Sequence, residues 1–281
     1  QVLKAINFDL KHTVFSYIPI TAETAFLGLM EGMDKYLVQK RKEIILEGKP
    51  HVDSLDQILS FRPRVEKLVM KDVKMRTFIA DDDQRDEMVA AVYDTTYEVI
   101  EKGVDTLVVI DDSIVRGTTL EKSILKMLDR LNPKKIVIVS SAPQIRFPDC
   151  YGIDMSKIHE FVAFRALMTL LKERGMEDLL HEVYEKAKVA LEQNIETNEV
   201  NILYNQFTHN EISTKITEIV KPKGMKAELE VIYQTAENLR KACPNHTGDW
   251  YFTGNFPTPG GIRVANKAFV NFMEGKRVRA Y

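Results

Sequence analysis

The chain has 281 residues, of which 44% are hydrophobic and 28% are charged, and its formal net charge is −2. These values are ordinary for a soluble globular protein, and the length suits one large α/β domain or one domain with an appendage. The absence of a basic excess argues against general nucleic-acid binding. Neither an apolar run near the ~20 residues of a membrane span nor a secretory leader is found, so we expect a cytoplasmic protein.

The chain contains two cysteines, Cys150 and Cys243. They are too few for a disulfide framework, and they exclude an iron–sulfur cluster held by four thiolates within one chain. His246 follows Cys243 at a spacing seen in zinc sites, but no second pair of such ligands lies nearby in the sequence, which argues against zinc.

The amino-terminal part predicts a strand, a helix and a long polar region. A strand is expected over residues 13–19, and Thr21 fits the N-cap of a helix over Ala22–Leu37. A charged stretch, Gln39–Lys49, follows, and after it we expect a loop that contains Pro50 and Pro63. The basic residues 63–76 indicate a mobile loop. From Asp83 apolar residues recur at helical spacing, and Gly103 is a good residue to end that helix.

Residues 106–139 have the pattern of a strand–helix–strand unit. The apolar run within Thr106–Ile110 is typical of a strand buried on both faces. An amphipathic helix follows and ends at Asn132-Pro133, and Ile136–Val139 is a second buried strand. This order predicts a parallel βαβ unit.

The rest of the chain is mainly helical in pattern. Helical spacing runs from Glu160 to about Gln193, with an interruption near Gly175. We expect shorter helices at Glu211–Ile219 and Met225–Ala242. A glycine-, proline- and aromatic-rich tail follows, and we expect it to be ordered and packed through its aromatic side chains.

The segment that carries chemistry follows the first buried strand. Asp111 and Asp112 stand at the carboxyl end of that strand, where ligands bind in open α/β sheets. The turn Ser113–Thr119 opens a helix, and its backbone N–H groups, its hydroxyls and Gly117 can wrap a phosphate. Two carboxylates beside such a turn suit sugar hydroxyls or a hard cation such as Mg²⁺. A phosphate beside a diol describes a ribose 5-phosphate, and Mg²⁺ would neutralise a pyrophosphate leaving group.

A purely structural interpretation of the two aspartates is that they form an N-capping pair after a core strand. An acidic pair alone favours that interpretation. The longer pattern of an apolar run, Asp-Asp-Ser and then Gly-Thr-Thr is more specific, and it favours the ribose-phosphate site.

The segment Asp111–Thr119, Asp-Asp-Ser-Ile-Val-Arg-Gly-Thr-Thr, resembles the phosphoribosyl pyrophosphate motif of type I phosphoribosyltransferases, in particular of the glutamine phosphoribosylpyrophosphate amidotransferases. Two further segments support the narrower resemblance. Arg76-Thr-Phe-Ile79 is similar to the flexible-loop motif of those enzymes, and Tyr151-Gly-Ile-Asp-Met155, after Pro148, is similar to their signature beyond the next strand. The segments occur in the family's order, and the resemblance covers roughly residues 13–220.

The resemblance implies a type I phosphoribosyltransferase fold, which is an α/β fold with a mostly parallel sheet flanked by helices. It implies a phosphoribosyltransferase domain over residues 1–195, with a flexible loop at about 63–85, and a helical carboxy-terminal extension over 196–281. The implied reaction transfers a phosphoribosyl group from phosphoribosyl pyrophosphate to ammonia, giving 5-phosphoribosylamine and pyrophosphate in the first step of de novo purine synthesis. Mg²⁺ as cofactor, purine nucleotides as inhibitors and a homo-oligomer are implied with it.

The same resemblance assigns roles to single residues. Asp111 and Asp112 contact the ribose hydroxyls and the metal, and Arg76 closes over the pyrophosphate. Thr21 and Ala22 match the pyrophosphate loop, and the hydroxyl of Thr21 can reach the metal. The 5-phosphate is held by residues of the turn after the aspartates, namely Ser113, Arg116, Gly117, Thr118 and Thr119.

The full enzymes of this family have an amino-terminal glutaminase domain whose terminal cysteine attacks glutamine. The sequence starts at Gln1, and nothing before residue 13 could form that domain. We therefore expect the phosphoribosyltransferase half alone, which could use free ammonia but not glutamine.

Two alternatives stay open. An enzyme of the same fold could act on a free nucleobase instead of ammonia. A regulator without catalysis could keep the motif to sense phosphoribosyl pyrophosphate. The pyrophosphate loop gives this second alternative some support, because Ile20 stands where the family has an aspartate and Ala22 where it has a glycine.

Overall fold

The computed structural model describes residues 1–48, 52–71, 93–95, 99–149, 155–246 and 248–280, with the backbone alone at 52–54, 70–71 and 93–95. The chain forms two compact units. Unit 1 comprises Gln1–Asp112, Lys126–Val139 and Lys226–Glu228, and unit 2 comprises Ser113–Leu125, Ser140–Met225 and Leu229–Tyr281. The domain division at residue 195 stays a prediction. Each helix in the described ranges is too short or too polar to cross a membrane.

The strands of the described residues are β1 (Thr13–Tyr17), β2 (Arg64–Val65), β3 (Val69–Lys71), β4 (Tyr93–Thr95), β5 (Thr106–Asp111), β6 (Lys135–Ser140) and β7 (Glu228–Tyr233). One five-stranded sheet has the order β2-β1-β5-β6-β7, and β3 and β4 form a separate antiparallel pair. Strand β1 is parallel to both β2 and β5. The predicted class, α/β with a mostly parallel sheet, is confirmed.

The helices of the described residues are α1 (Val2–Ala5), α2 (Glu23–Gly48), α3 (Val52–Ser60), α4 (Leu125–Asp129), α5 (Val162–Glu173), α6 (Glu177–Gln193), α7 (Asn201–Tyr204), α8 (His209–Val220), α9 (Ala236–Ala242), α10 (Trp250–Thr253) and α11 (Pro259–Met273). A π-helical turn, Leu120–Ile124, runs directly into α4, and a 3-10 turn, Ile158–Glu160, precedes α5.

The predicted strand–helix–strand unit of residues 106–139 is confirmed. Its first strand, β5, is buried because its apolar run supplies both faces, and Leu107, Val108 and Val109 have no exposed surface. On the helix that follows, Leu120, Leu128 and two further apolar residues of the predicted stripe are buried, which is the stripe expected of a helix packed on a sheet.

Helix α2 extends further than predicted. The charged stretch after residue 38 is helical, and the ion pair between Lys40 and Glu43 on its exposed side has helical spacing. Arg41 of α2 also ends the unpredicted helix α3, because its Nε and Nη2 donate to the carbonyls of Ile58 and Phe61, at 3.1 and 2.6 Å. The predicted loop that contains Pro50 and Pro63 is therefore wrong for residues 52–60, which form α3.

The prediction of a mobile basic loop is wrong for residues 64–71, which contain strands β2 and β3. Leu68 and Val69 have no exposed surface. Arg64 of β2 donates from Nη1 to both carboxylate oxygens of Asp105, at 2.7 and 2.8 Å, and from Nη2 to the carbonyl of Val99, at 2.9 Å. The buried carboxylate neutralises the cation that the sequence alone places in solvent.

The predicted helix from Asp83 is also wrong where the chain is described. Residues Tyr93–Thr95 form strand β4. Gly103 has a φ of +72°, but it lies in a turn and its N–H donates to the carbonyl of Asn132. A glycine with positive φ serves such a turn as readily as a helix end.

Unit 2 is built mainly from helices. Helix α5 packs on α8 and α6 packs on α11. Phe164 of α5 meets Phe272 of α11 edge to face, with ring centroids 4.9 Å apart. The predicted helices over 160–193, with their break at Gly175, and over 211–219 are confirmed as α5, α6 and α8.

Two carboxy-terminal predictions need correction. The expected helix Met225–Ala242 is strand β7 followed by the short helix α9. Its Val231-Ile232-Tyr233 run is β-branched and aromatic, and such residues favour a strand. The tail is ordered as predicted, and Trp250 Nε1 donates to Asp149 Oδ2 at 2.9 Å. However, it also contains the unpredicted helix α11, with Thr258 as N-cap.

We expect Arg64→Met to lower the free energy of unfolding by about 3 kcal/mol, because it leaves the buried carboxylate of Asp105 without its cation. The matched control is Arg62→Met. Arg62 is exposed and, among the described residues, donates only to the nearby carbonyls of Leu59 and Phe61, so a change within about 0.5 kcal/mol is expected. Urea unfolding measures both variants, and equal effects would contradict the structural role of Arg64.

Candidate functional site

In unit 1, two loops leave the same edge of the sheet side by side. Strands β1 and β5 pair in parallel, with Tyr17 opposite Ile110, and the N–H of Ile18 donates to the carbonyl of Ile110 at 2.9 Å. The chain then continues as residues 18–22 after β1 and as the two aspartates after β5. Because the strands are adjacent and parallel, these residues are neighbours.

A hydrogen bond joins the two loops. Thr21 Oγ1 donates to Asp112 Oδ1 at 2.8 Å. The prediction that Thr21 caps the following helix is wrong, since α2 begins at Glu23 and the carbonyl that accepts the N–H of Phe26 is that of Ala22. The hydroxyl of Thr21 is turned to the carboxylate instead of to the helix end.

The other residues of the loop after β1 differ in exposure. Ala22 is fully buried, so a contact between Ala22 and a ligand would come from its backbone. Ile20 is 60% exposed, and the peptide bond between Pro19 and Ile20 is cis. Ile20 therefore presents an apolar side chain to solvent at the place where a charged one was expected.

Asp111 is the electrostatically unusual group of the site. It is half-buried, and its Oδ1 accepts the N–H of Asp112 at 2.9 Å. Burial, together with the negative charge of Asp112, raises the pKa of Asp111 well above its usual range. A carboxyl in this state gains from any ligand that supplies positive charge or hydrogen-bond donors.

The donor set is composed of hard oxygens, from two carboxylates and one hydroxyl. It is smaller than an all-protein metal cage, and no group of three or more His, Cys, Asp or Glu suited to a metal occurs in the described residues. Mg²⁺ in proteins commonly takes one or two carboxylates and completes its shell with water and substrate oxygens. Asp111, Asp112 and Thr21 therefore fit Mg²⁺ bound together with a phosphorylated substrate.

In unit 2, the turn Ser113–Thr119 combines a glycine with positive φ and the start of a helix, two features that suit phosphate binding. Gly117 is buried with a φ of +73°. Thr118 and Thr119 are half-buried and begin the helical segment that continues through the π-helical turn to α4. N–H groups at the start of a helix carry partial positive charge.

The side chain of Arg116 is engaged within unit 2. Its Nη2 lies 2.6 Å from Glu160 Oε2, and the two side chains are only 20% and 18% exposed. A contact between this guanidinium and a phosphate stays a prediction, and such a contact would have to weaken the pair with Glu160.

The sequence reasoning missed two residues that hold this turn. Arg165 donates from Nη2 to the carbonyl of Arg116 at 2.8 Å, and Glu160 binds the Arg116 side chain. Both follow the turn by more than forty residues, so no local spacing marks them.

Other predicted residues lie outside the described ones. They are Arg76 with the lid that it was expected to carry, residues 151–154 of the second signature, and Cys150. Met155 of that signature is described, and its carbonyl accepts the N–H of Asp149 at 3.0 Å. Cys243 is exposed and forms no disulfide with a described residue.

Curated proteins named amidophosphoribosyltransferase are similar to parts of this chain. The protein from Escherichia coli (strain K12) is 49% identical over 57 residues, which is 20% of this chain and 11% of that protein. The protein from Pyrococcus horikoshii is 36% identical over 120 residues, 42% of this chain and 26% of that protein. The protein from Lachancea kluyveri is 38% identical over 80 residues, which is 28% of this chain and 16% of that protein. The chain thus spans about a quarter or less of the length of these relatives. No protein-family model matches the chain.

Two solved structures are also similar. The glutamine phosphoribosylpyrophosphate amidotransferase from B. subtilis, complexed with ADP and GMP, overlaps 88% of this chain and 38% of its own, with a TM-score of 0.46 and 20% identity. A structure described as the allosteric regulatory enzyme of purine biosynthesis has a TM-score of 0.44 and 19% identity. Similarities of this degree do not by themselves establish a shared activity.

We expect Gly117→Ala to destabilise the protein more than Gly224→Ala does. Both glycines have positive φ, +73° and +80°, so each alanine costs about 1 kcal/mol of backbone strain. Only at Gly117 would the new Cβ also collide, at 2.9 Å from Val220 Cγ1, whereas nothing lies within 4 Å at Gly224. The collision adds about 1–3 kcal/mol. Chemical denaturation compares the two, and equal losses would show that the turn is not packed as described.

Proposed function

We propose that this chain transfers a phosphoribosyl group from phosphoribosyl pyrophosphate to ammonia, giving 5-phosphoribosylamine and pyrophosphate. The observation that carries the proposal is the carboxylate pair at the end of β5, bonded by Thr21 from the loop after β1 and continued in the chain by the Gly117 turn. A parallel sheet flanked by helices is the architecture expected of a type I phosphoribosyltransferase. The similarity to amidophosphoribosyltransferases supports ammonia as the acceptor.

Different residues bind different parts of the substrate. Asp111 and Asp112 accept hydrogen bonds from the ribose hydroxyls and, with Thr21, hold Mg²⁺. The turn Ser113–Thr119 binds the 5-phosphate through backbone N–H groups and the hydroxyls of its serine and threonines. When bound, Mg²⁺ supplies positive charge to the pyrophosphate oxygens.

The chemical step requires little from protein acids and bases. The bond between the anomeric carbon and the pyrophosphate oxygen breaks and takes its electron pair to pyrophosphate, and the nitrogen of ammonia forms the new bond and then loses a proton. The positive charge that develops on the ribose ring is close to the carboxylates that bind its hydroxyls. Holding the reactants in line and stabilising the departing charge supply most of the acceleration.

Several parts of the assignment come from the resemblance alone. We include purine nucleotides as inhibitors, a homo-oligomer and a cytoplasmic location in the proposal. We also include Arg76 as the residue that closes over the pyrophosphate. A closed site would protect the reactive carbon from water until ammonia attacks.

One observation favours a second function, a sensor that binds phosphoribosyl pyrophosphate without turnover. Exposed Ile20 and buried Ala22 deprive the loop after β1 of a charge and of backbone freedom that would help to bind pyrophosphate. A phosphoribosyltransferase for free nucleobases is a further alternative.

The chain mixed with Mg²⁺, phosphoribosyl pyrophosphate and ammonium is expected to release pyrophosphate without any nucleobase. Asp112→Asn is expected to lower kcat/KM about 10²-fold, the scale for losing one charge-stabilising group. Asp34→Asn, an exposed position on α2, is the control and should leave the rate unchanged. Binding without turnover would favour the sensor, and release only with adenine, guanine or orotate would favour the nucleobase enzyme.

The apparent affinity for magnesium phosphoribosyl pyrophosphate is expected to depend on Asp111. Because the pKa of Asp111 is raised, a proton competes with the metal for this carboxylate. KM should therefore rise as the pH falls through that pKa and level off above it. Asp111→Asn should remove the pH dependence along with most of the affinity. A wild-type KM that stays constant across the whole range would contradict the role of Asp111.

A further inference from the structure

The carbonyls of the phosphate-binding turn are held from one side by helix α5. The N–H of Val162 donates to the carbonyl of Val115 at 2.8 Å, and Arg165 Nη2 donates to the carbonyl of Arg116 at 2.8 Å. All of these residues belong to unit 2. Two successive carbonyls of the turn are thus directed at the first turns of one helix.

This arrangement fixes the direction of two N–H groups. The peptide bonds of the turn are trans, and a trans peptide places its C=O and its N–H on opposite sides. The N–H groups of Arg116 and Gly117 therefore point away from α5. The N–H of Gly117 meets no hydrogen-bond acceptor among the residues that the structure describes. Two successive N–H groups directed to the same side of the chain form a concave site for an anion.

Arg165 also brings a positive charge behind the turn. Its guanidinium is partly buried, and burial lowers its pKa, although an arginine keeps its proton at neutral pH. Its Nε is buried without a hydrogen-bond partner in the described part of the chain. Glu121 acts on it only as a charge, without a hydrogen bond to it in the described part. The cation is therefore not neutralised by a direct partner there and contributes to the potential at the turn.

We propose that Arg165 is a positioning residue for the 5-phosphate: it holds the Arg116 carbonyl so that the N–H groups of Arg116 and Gly117 face the anion. The pair between Arg116 and Glu160 holds the same residue by its side chain, so the turn is preorganised before a ligand arrives. This inference rests on the proposed function, and it adds a residue that neither the motif nor the resemblance assigns.

The test compares Arg165→Gln with Arg165→Lys by calorimetry, using ribose 5-phosphate and magnesium pyrophosphate as separate probes. We expect Arg165→Gln to weaken ribose 5-phosphate about tenfold, the effect of about 1.4 kcal/mol, and to leave pyrophosphate binding unchanged. Arg165→Lys, which keeps the charge and one donor, should recover part of the loss. In turnover, KM for phosphoribosyl pyrophosphate should rise with kcat nearly constant, since the 5-phosphate is bound equally before and during reaction.

The control is Arg174→Gln, at the other end of α5, where the arginine pairs with Glu211. It should change neither ligand's affinity. If Arg165→Gln binds ribose 5-phosphate like the wild type, or if it loses both ligands equally with no recovery in Arg165→Lys, the positioning role is wrong while the proposed function stands. If the wild type itself binds no ribose 5-phosphate, the proposed function fails and this inference with it.

Discussion

Parallel hydrogen bonding between β1 and β5 is the constraint on which the candidate site depends. It runs from Thr13 opposite Thr106 to Tyr17 opposite Ile110, and it places the ends of two sequence-distant strands at one sheet edge. The hydroxyl of Thr21 reaches Asp112 only because of this register. A shift by one residue would turn every side chain of β1 to the opposite face. Burial of the apolar residues of the strand therefore fixes the register, and the register fixes the geometry of the site.

The site combines groups that repel one another when it is empty. Asp111 and Asp112 are adjacent carboxyls, and burial makes the charged state of Asp111 costly. In the proposed function, Mg²⁺ supplies the positive charge and the ribose hydroxyls supply the hydrogen-bond donors that this pair lacks. The turn of unit 2 has the opposite charge preference. Arg165 brings a positive charge to it and holds one of its carbonyls, and a cation with directed N–H groups suits a phosphate. In the proposed function, the aspartates bind the ribose hydroxyls and Mg²⁺, and the turn binds the 5-phosphate.

Elements whose structure depends mainly on neighbouring residues could be predicted from the sequence. The apolar run of β5 and the helix that follows it were predicted correctly, because a strand buried on both faces and a helix with one buried stripe leave strong marks in the sequence. The acidic pair lies at the carboxyl end of that strand, as its position after the apolar run indicated. Predictions failed where a distant partner decides: the buried Asp105 turns Arg64 into a packed residue, and strand β7 forms beside β6 despite an apolar spacing that resembles a helix.

Long-range contacts also account for what was missed in the site. Thr21 is a residue type that often caps helices, and it precedes one. Its hydroxyl binds Asp112 instead, which is 91 residues away in the sequence, so the sequence around Thr21 does not reveal this partner. Arg165 lies 49 residues after the carbonyl that it holds. A sequence motif contains the groups that contact a ligand. The residues that orient those groups can lie far away in the sequence, and only the folded structure identifies them.

In the proposed function, the carboxylate pair at the end of β5 binds phosphoribosyl pyrophosphate through Mg²⁺. Calorimetric titration tests this binding most directly. It compares the wild type with the double variant Asp111→Asn/Asp112→Asn, each with and without Mg²⁺. We expect binding that needs Mg²⁺ and is lost in the double variant while its circular dichroism and unfolding transition persist. Equal binding without Mg²⁺ and in the double variant would contradict the account.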